Sequence, residues 1–196
     1  SAGNRNDSES VTFALDSANP QVTINSPTGN VSVSQVTFNV TTNENADSAL
    51  FSLNSGLTNV TMQKNGNRDF NYTNSSIADG TYTVKFYVND TVGNWNRTSS
   101  RAFTVDTIKP AVTIVYPTNT TYSAVVSALN YTVSDTNLFN CWYSLNSGLT
   151  NTTVTCGANV TGLTASEGSN TWRVYANDTL GNVNNSVSVT FVYNSD

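Results

Sequence analysis

Apolar and polar residues alternate along most of this chain. The alternation is clear in residues 21–25, 35–41, 49–53, 82–88 and 101–105, and again in 111–116, 129–133, 141–145, 171–176 and 187–192. Successive side chains of a strand point to opposite faces, so a period of two predicts half-buried β-strands. Val, Ile, Phe, Tyr and Thr supply the pattern, and these residues suit a pleated, half-buried surface. No stretch has the spacing of a helix. Pro20, Pro27, Pro110 and Pro117 bracket the first strands, Asn54-Ser55-Gly56 and Asn146-Ser147-Gly148 mark tight connections, and Asp79-Gly80 and Glu167-Gly168 precede the two most regular strands. In those strands Tyr82, Val84, Phe86 and Val88, or Asn170, Trp172, Val174 and Ala176, should face the core. Thr83, Lys85 and Tyr87, or Thr171, Arg173 and Tyr175, should face solvent. Tyr82 gives way to Asn170, so a tyrosine-corner hydrogen bond is open to the first copy only.

The strand pattern occurs twice because the chain repeats. Gly3-Asn4, Phe13, Asp16, Pro20, Val22-Thr23-Ile24 and Pro27-Thr28 return ninety positions later as Gly93-Asn94, Phe103, Asp106, Pro110, Val112-Thr113-Ile114 and Pro117-Thr118. Asn89–Asn94 returns as Asn177–Asn182 with one change, and the octapeptide Ser52–Asn59 returns unchanged as Ser144–Asn151. Equal text implies equal structural units. The expected organisation is two sandwiches, residues 20–106 and 111–196, joined by a linker at 107–110. Residues 1–19 match only the closing strand of a unit. Val11, Phe13 and Leu15 would line one face of that supernumerary strand, which would pair with a neighbouring repeat or another copy of the chain.

Composition narrows the function. There are eight basic and thirteen acidic residues, no histidine, and a net charge of −5. Phosphate backbones demand clustered Lys and Arg, and the scattered arginines form no such patch, so nucleic acid is excluded as a partner. No apolar run approaches the ~20 residues that span a bilayer. There is no histidine base, no Gly-x-Ser-x-Gly elbow, no close carboxylate pair and no phosphate loop, so no enzyme activity is expected and no cofactor is called for.

The frame Gly80-x-Tyr82-x-Val84-x-Phe86-x-Val88-x-Asp90-x-x-Gly93-Asn94, followed by a strand and Asp106-Thr107-x-x-Pro110, resembles the tandem immunoglobulin-like or fibronectin-III-like modules of prokaryotic surface proteins and adhesins. The Thr/Asn-rich, Lys-poor style is similar to archaeal cell-surface repeats. The resemblance implies an extracellular or cell-surface location and a structural role, as a segment or subunit of a stalk or filament. An adhesin or carbohydrate-binding module is the alternative.

Three features carry candidate chemistry. Cys141 and Cys156 flank one hairpin turn of the second unit, where the first has Ala49 and Lys64. In an extracellular setting they read as a disulfide, against a free thiol pair or half of a metal set. Asn-x-Ser/Thr triplets, the acceptors of N-linked glycans, occur at Asn6, Asn30, Asn39, Asn59, Asn71, Asn74, Asn89, Asn96, Asn119, Asn130, Asn151, Asn159, Asn177 and Asn184. Composition alone would give about eight. Asn59 matches Asn151, Asn89 matches Asn177, and Asn6 matches Asn96 and Asn184, through shared modification or shared ancestry. Lastly, Asp90 and Asp178 precede Gly-Asn turns, where turn capping competes with calcium binding. Trp95 and Trp142, with Tyr87 and Tyr175, would suit sugar stacking or hairpin packing.

Overall fold

A computed structural model describes residue 10, residues 12–13 and residues 15–196. Among these residues all regular structure is β-strand, and the chain divides into two compact units. The strands themselves form two sets, and the first set is β1 (Val22–Ser26), β2 (Val36–Thr42), β3 (Ala46–Ser52), β4 (Val60–Thr61), β5 (Gln63–Lys64), β6 (Asp69–Asn74), β7 (Gly80–Asp90), β8 (Trp95–Asn96) and β9 (Ser100–Val105). One sheet runs β1-β2-β6-β5 and the other β4-β3-β7-β8, with β9 also on β7.

The second set is β10 (Ala111–Tyr116), β11 (Thr121–Tyr122), β12 (Ala128–Ser134), β13 (Leu138–Ser144), β14 (Thr152–Val154), β15 (Val160–Thr161), β16 (Gly168–Asp178), β17 (Val183–Asn184) and β18 (Ser188–Tyr193). Its sheets run β10-β12-β15 and β11-β18-β16-β13-β14, with β17 also on β16. No strand is shared between the two sets. The sheets are antiparallel, as expected of immunoglobulin-like sandwiches, and each set adds one short parallel pairing. Tyr122 lies parallel to Tyr193 in the β11–β18 pair, and Val31 makes a parallel bridge to Val105. In both, the stretch after the first strand leaves that strand's sheet and runs beside the closing strand.

The alternation becomes two aromatic cores. In β7, Val84, Phe86 and Val88 are fully buried, as are Phe38 and Val40 of β2. Phe38 stacks on Phe51 at 4.3 Å between ring centroids and meets Phe103 edge-on at 5.9 Å. In the second core Trp172 meets Phe191 perpendicularly at 5.0 Å. Each such buried Phe contributes roughly 1.5–3 kcal/mol of burial. Tyr82 stacks on Phe103, whereas its replacement Asn170 is buried and bonds to both the N–H and the carbonyl of Ser166.

The amino-terminal stretch forms no ladder within the described residues of the chain. Ser10, Thr12, Phe13, Leu15 and Asp16 lie in no strand, and Phe13 and Leu15 are 83% and 87% exposed. A strand exists only through a ladder partner, and these residues have none among the described residues. Val11, the third member of the predicted row, lies outside the described residues.

Candidate functional site

The repeated Asp-x-x-Gly-Asn text builds a turn that holds the incoming chain. Asp90 Oδ1 accepts from the backbone N–H groups of Val92, Gly93 and Asn94 at 2.7–2.9 Å, and Oδ2 accepts from Asn94 Nδ2 at 2.7 Å. Asp178 repeats this with Leu180 and Asn182. Burial works to raise both carboxyl pKa values, but the side-chain and backbone hydrogen bonds outweigh it and hold each below the ordinary aspartate value of 3.8.

Each asparagine held by its aspartate in turn donates its other bond outward. Asn94 Nδ2 reaches the Asp16 carbonyl at 3.1 Å, and Asn182 Nδ2 the Asp106 carbonyl at 2.8 Å. Two residues on, Asn96 Nδ2 donates to the Pro20 carbonyl and Asn184 Nδ2 to the Pro110 carbonyl, both at 2.9 Å. Pro20 and Pro110 are buried. Asp106–Pro110 belongs to the second compact unit, as Asp16–Pro20 belongs to the first.

The unchanged octapeptide is a second device. Buried Ser52 Oγ accepts from Gly56 N–H at 2.9 Å and donates to Asn54 Oδ1, which also accepts from Thr58 N–H. Ser144, Asn146, Gly148 and Thr150 repeat it. Gly56 and Gly148 both have φ +96°, and a Cβ there would lie 2.7 Å from the Tyr87 hydroxyl and 2.8 Å from that of Tyr175. The loop therefore roofs the tyrosine. This corrects the expectation of an open sheet face, because Tyr87 is half-buried and Tyr175 is only 8% exposed.

The two units differ beside that tyrosine. In the second, Trp142 is in register with Tyr175 and stacks on it at 5.5 Å and 7°. In the first, Leu50 is in register with Tyr87. Beside it lies an open groove of about 400 Å³, lined by Leu50, Ser55, Asn59, Tyr87, Trp95 and Arg97. The Arg97 guanidinium lies over the Trp95 ring at 5.2 Å.

Cys141 and Cys156 are bonded, with Cα atoms 5.1 Å apart. Cys141 is in register with Val154, so Cys156 sits just past β14. In the first unit Lys64 fastens the same place differently. Its ammonium donates to the Ala46 carbonyl at 2.7 Å and lies 5.9 Å from the Phe70 ring centroid.

The fourteen triplets divide by what their amides do. Asn96 and Asn184 hold proline carbonyls, and their Oδ1 atoms accept from Thr98 and Ser186. Asn89 and Asn177 accept from the backbone of Ser48 and Asn140. Asn39 is tied to Asp69 and Asn25, and Asn30 accepts from Thr104 N–H. Asn71, Asn74 and Asn130 are half-buried in strands. Asn59, Asn119, Asn151 and Asn159 are exposed in loops. Asn6 lies outside the described residues.

Carboxylate oxygens of Asp16, Glu44 and Asp90 lie within 4.8 Å of one another. Calcium asks for six to eight oxygens, and those of Asp90 already accept four hydrogen bonds. The second unit keeps only part of this group, with Asp106 accepting from Asn137 Nδ2. Trp142 stacks on Tyr175, while Trp95 lines the groove beside Tyr87.

Paired sheets, a roofed tyrosine and a repeated turn define an immunoglobulin-like sandwich protein. Residues 19–107 match the Bacterial Ig-like domain family. Halomucin of Haloquadratum walsbyi is 33% identical over 82 residues, which are 41% of this chain and about 1% of halomucin's length. In fold the chain is similar to the fibronectin(III)-like modules of Clostridium thermocellum CbhA, with a TM-score of 0.52 at 17% identity over 89% of this chain and 95% of that one. It is also similar to extracellular domains 3–5 of Drosophila OTK, with a TM-score of 0.50 at 8% identity over 88% of this chain and 62% of that one. The family match covers residues 19–107, and in fold the chain is immunoglobulin-like and fibronectin-III-like. Among the described residues no helix is long and apolar enough to cross a membrane.

Proposed function

We propose that the chain is a non-catalytic structural segment of an extracellular array, a stalk or filament built from sandwiches at 20–106 and 111–196. The observation that carries this reading is the twice-used anchoring of an incoming segment. Asn94 and Asn96 grip Asp16 and Pro20 as Asn182 and Asn184 grip Asp106 and Pro110. Each sandwich thus receives the chain in one fixed way, as a repeat meant for serial connection would. N-glycans on exposed loop triplets add a solvated, protease-resisting coat.

The exposed apolar pair at the amino end belongs to the same reading. Phe13 and Leu15 correspond to Phe103 and Val105, which are 2% and 1% exposed. Residues 9–16 complete a sheet in a module outside these two, either a preceding repeat or a neighbouring copy. Deleting residues 1–15, which keeps Asp16 and Pro20 in place for Asn94 and Asn96, should leave both sandwiches folded and monomeric and abolish end-to-end assembly, read by light scattering and electron microscopy. Unfolding of the first sandwich, or unchanged assembly, would refute strand donation. The groove at Trp95 favours one second reading, a carbohydrate-binding module, which a glycan array on the unglycosylated chain tests.

A further inference from the structure

The groove of the first unit has a resident in the second. Trp142 lays a flat ring on Tyr175, whereas Leu50 leaves the space beside Tyr87 open to about 400 Å³. Asn59 is an exposed acceptor triplet, Asn59-Val60-Thr61, in the wall of that space. Among the described residues, none takes up its side chain in a hydrogen bond of the kind that occupies Asn89 or Asn96.

We infer that Asn59 carries an N-linked glycan whose first sugar rings fold back into this groove and stack on Trp95 and Tyr87. This rests on the glycosylation in the proposed function and adds where one glycan lies. A pyranose presents an apolar face of C–H groups and a rim of hydroxyls. The face suits an aromatic ring. Ser55 and the Arg97 guanidinium supply polar groups at the rim for the hydroxyls. The attached sugar is a better occupant than a free one, because tethering at the groove wall gives it a high effective concentration. In the attachment step Asn59 Nδ2 forms a bond to the anomeric carbon of an oligosaccharide borne on a polyprenyl phosphate. The anomeric C–O bond breaks, the carrier leaves with its electron pair, and the amide gives up one proton.

Asn151 is the internal control, since it has the same loop around it but Trp142 in the ring's place. The experiment takes glycosylated protein, maps occupancy by mass spectrometry, and times release of each glycan from the folded chain by a peptide-N-glycosidase. Release at Asn59 should be at least tenfold slower than at Asn151. Trp95→Ala and Leu50→Trp should each bring the two rates together, with amide exchange of the β3 and β7 peptides confirming the fold. An Asn151 glycan with Asn59 bare, or equal release rates in the unaltered chain, overturns the inference while leaving the coat in place. No glycan at any triplet overturns both. Binding of free oligosaccharide to unglycosylated chain, lost in Trp95→Ala, assigns the groove to an outside ligand and overturns the self-glycan.

Discussion

Replacing both cysteines by alanine should destabilise the second sandwich alone, and by an amount the loop length sets. Cys141 and Cys156 are 15 residues apart. In the chain-entropy account, a loop of that size withholds about 3 kcal/mol of freedom from the unfolded chain. At roughly 4–8 °C per kcal/mol for a domain of this size, the midpoint should fall by about 12–24 °C. Alanine is the right probe, because Ala49 occupies the equivalent of Cys141 in the first unit and is fully buried there. Packing loss is therefore small and the crosslink dominates. Calorimetry should show one transition moving, and hydrogen exchange should assign it to peptides of β13 and β16 while those of β3 and β7 stay still. A further variant, Cys141→Ala with Cys156→Lys, installs the first unit's fastening, with the Leu138 carbonyl standing where that of Ala46 receives Lys64. It should recover about 0.5–1.5 kcal/mol, the net worth of one hydrogen bond. A fall below about 1 kcal/mol in the double alanine variant, or equal shifts in both units, would refute the reasoning.

Ser144→Ala leaves the Gly148 N–H without its acceptor beneath the loop, and should cost about 1–3 kcal/mol in urea melts. The same change at Ser52 should act on the first unit alone. The depressed carboxyls of Asp90 and Asp178 stabilise the fold above the unfolded value of 3.8 and lose that contribution as pH falls through their lower folded values. Stability measured from pH 6 to 2 should therefore drop below about pH 4, and Asp178→Asn should flatten the drop for the second unit. Without glycans, Asn59→Gln should leave the melting midpoint unchanged. Asn96→Gln should lower that of the first unit, since its amide holds Pro20.

How much could be read from the chain alone depends on which force wrote each feature. Val84, Phe86 and Val88 alternate with polar residues, and β7 was legible to within two residues at either end. Phe70 and Tyr72 alternate as well, but among Asp69, Asn71, Thr73 and Asn74, and β6 was missed because polar composition hid the period. The bridge was legible because two cysteines around one turn leave a single pairing. Burial of Tyr175 was not, since a roof made by Gly148 is a matter of three-dimensional approach that no period records. The recurring triplets carry two readings at once. Asn96-Arg97-Thr98 reads as a glycan acceptor, yet Asn96 Oδ1 accepts from the N–H two residues on, and that turn is written with the same letters.

With the proposed glycosylation, that double use of the Asn-x-Thr triplet would set folding against modification. Before folding, Asn96 and Asn59 would be equal substrates for a transferase. After folding, the first amide is half-buried and holding Pro20, and the second is still offered to solvent. A sugar arriving early at Asn96 takes one of its two amide hydrogens and puts a bulky ring where the incoming chain must dock. The order of folding and modification would then be recorded in the product. A chain that folds before it meets the transferase emerges decorated only on its loops, and one threaded through unfolded carries marks at positions that impair its own closure.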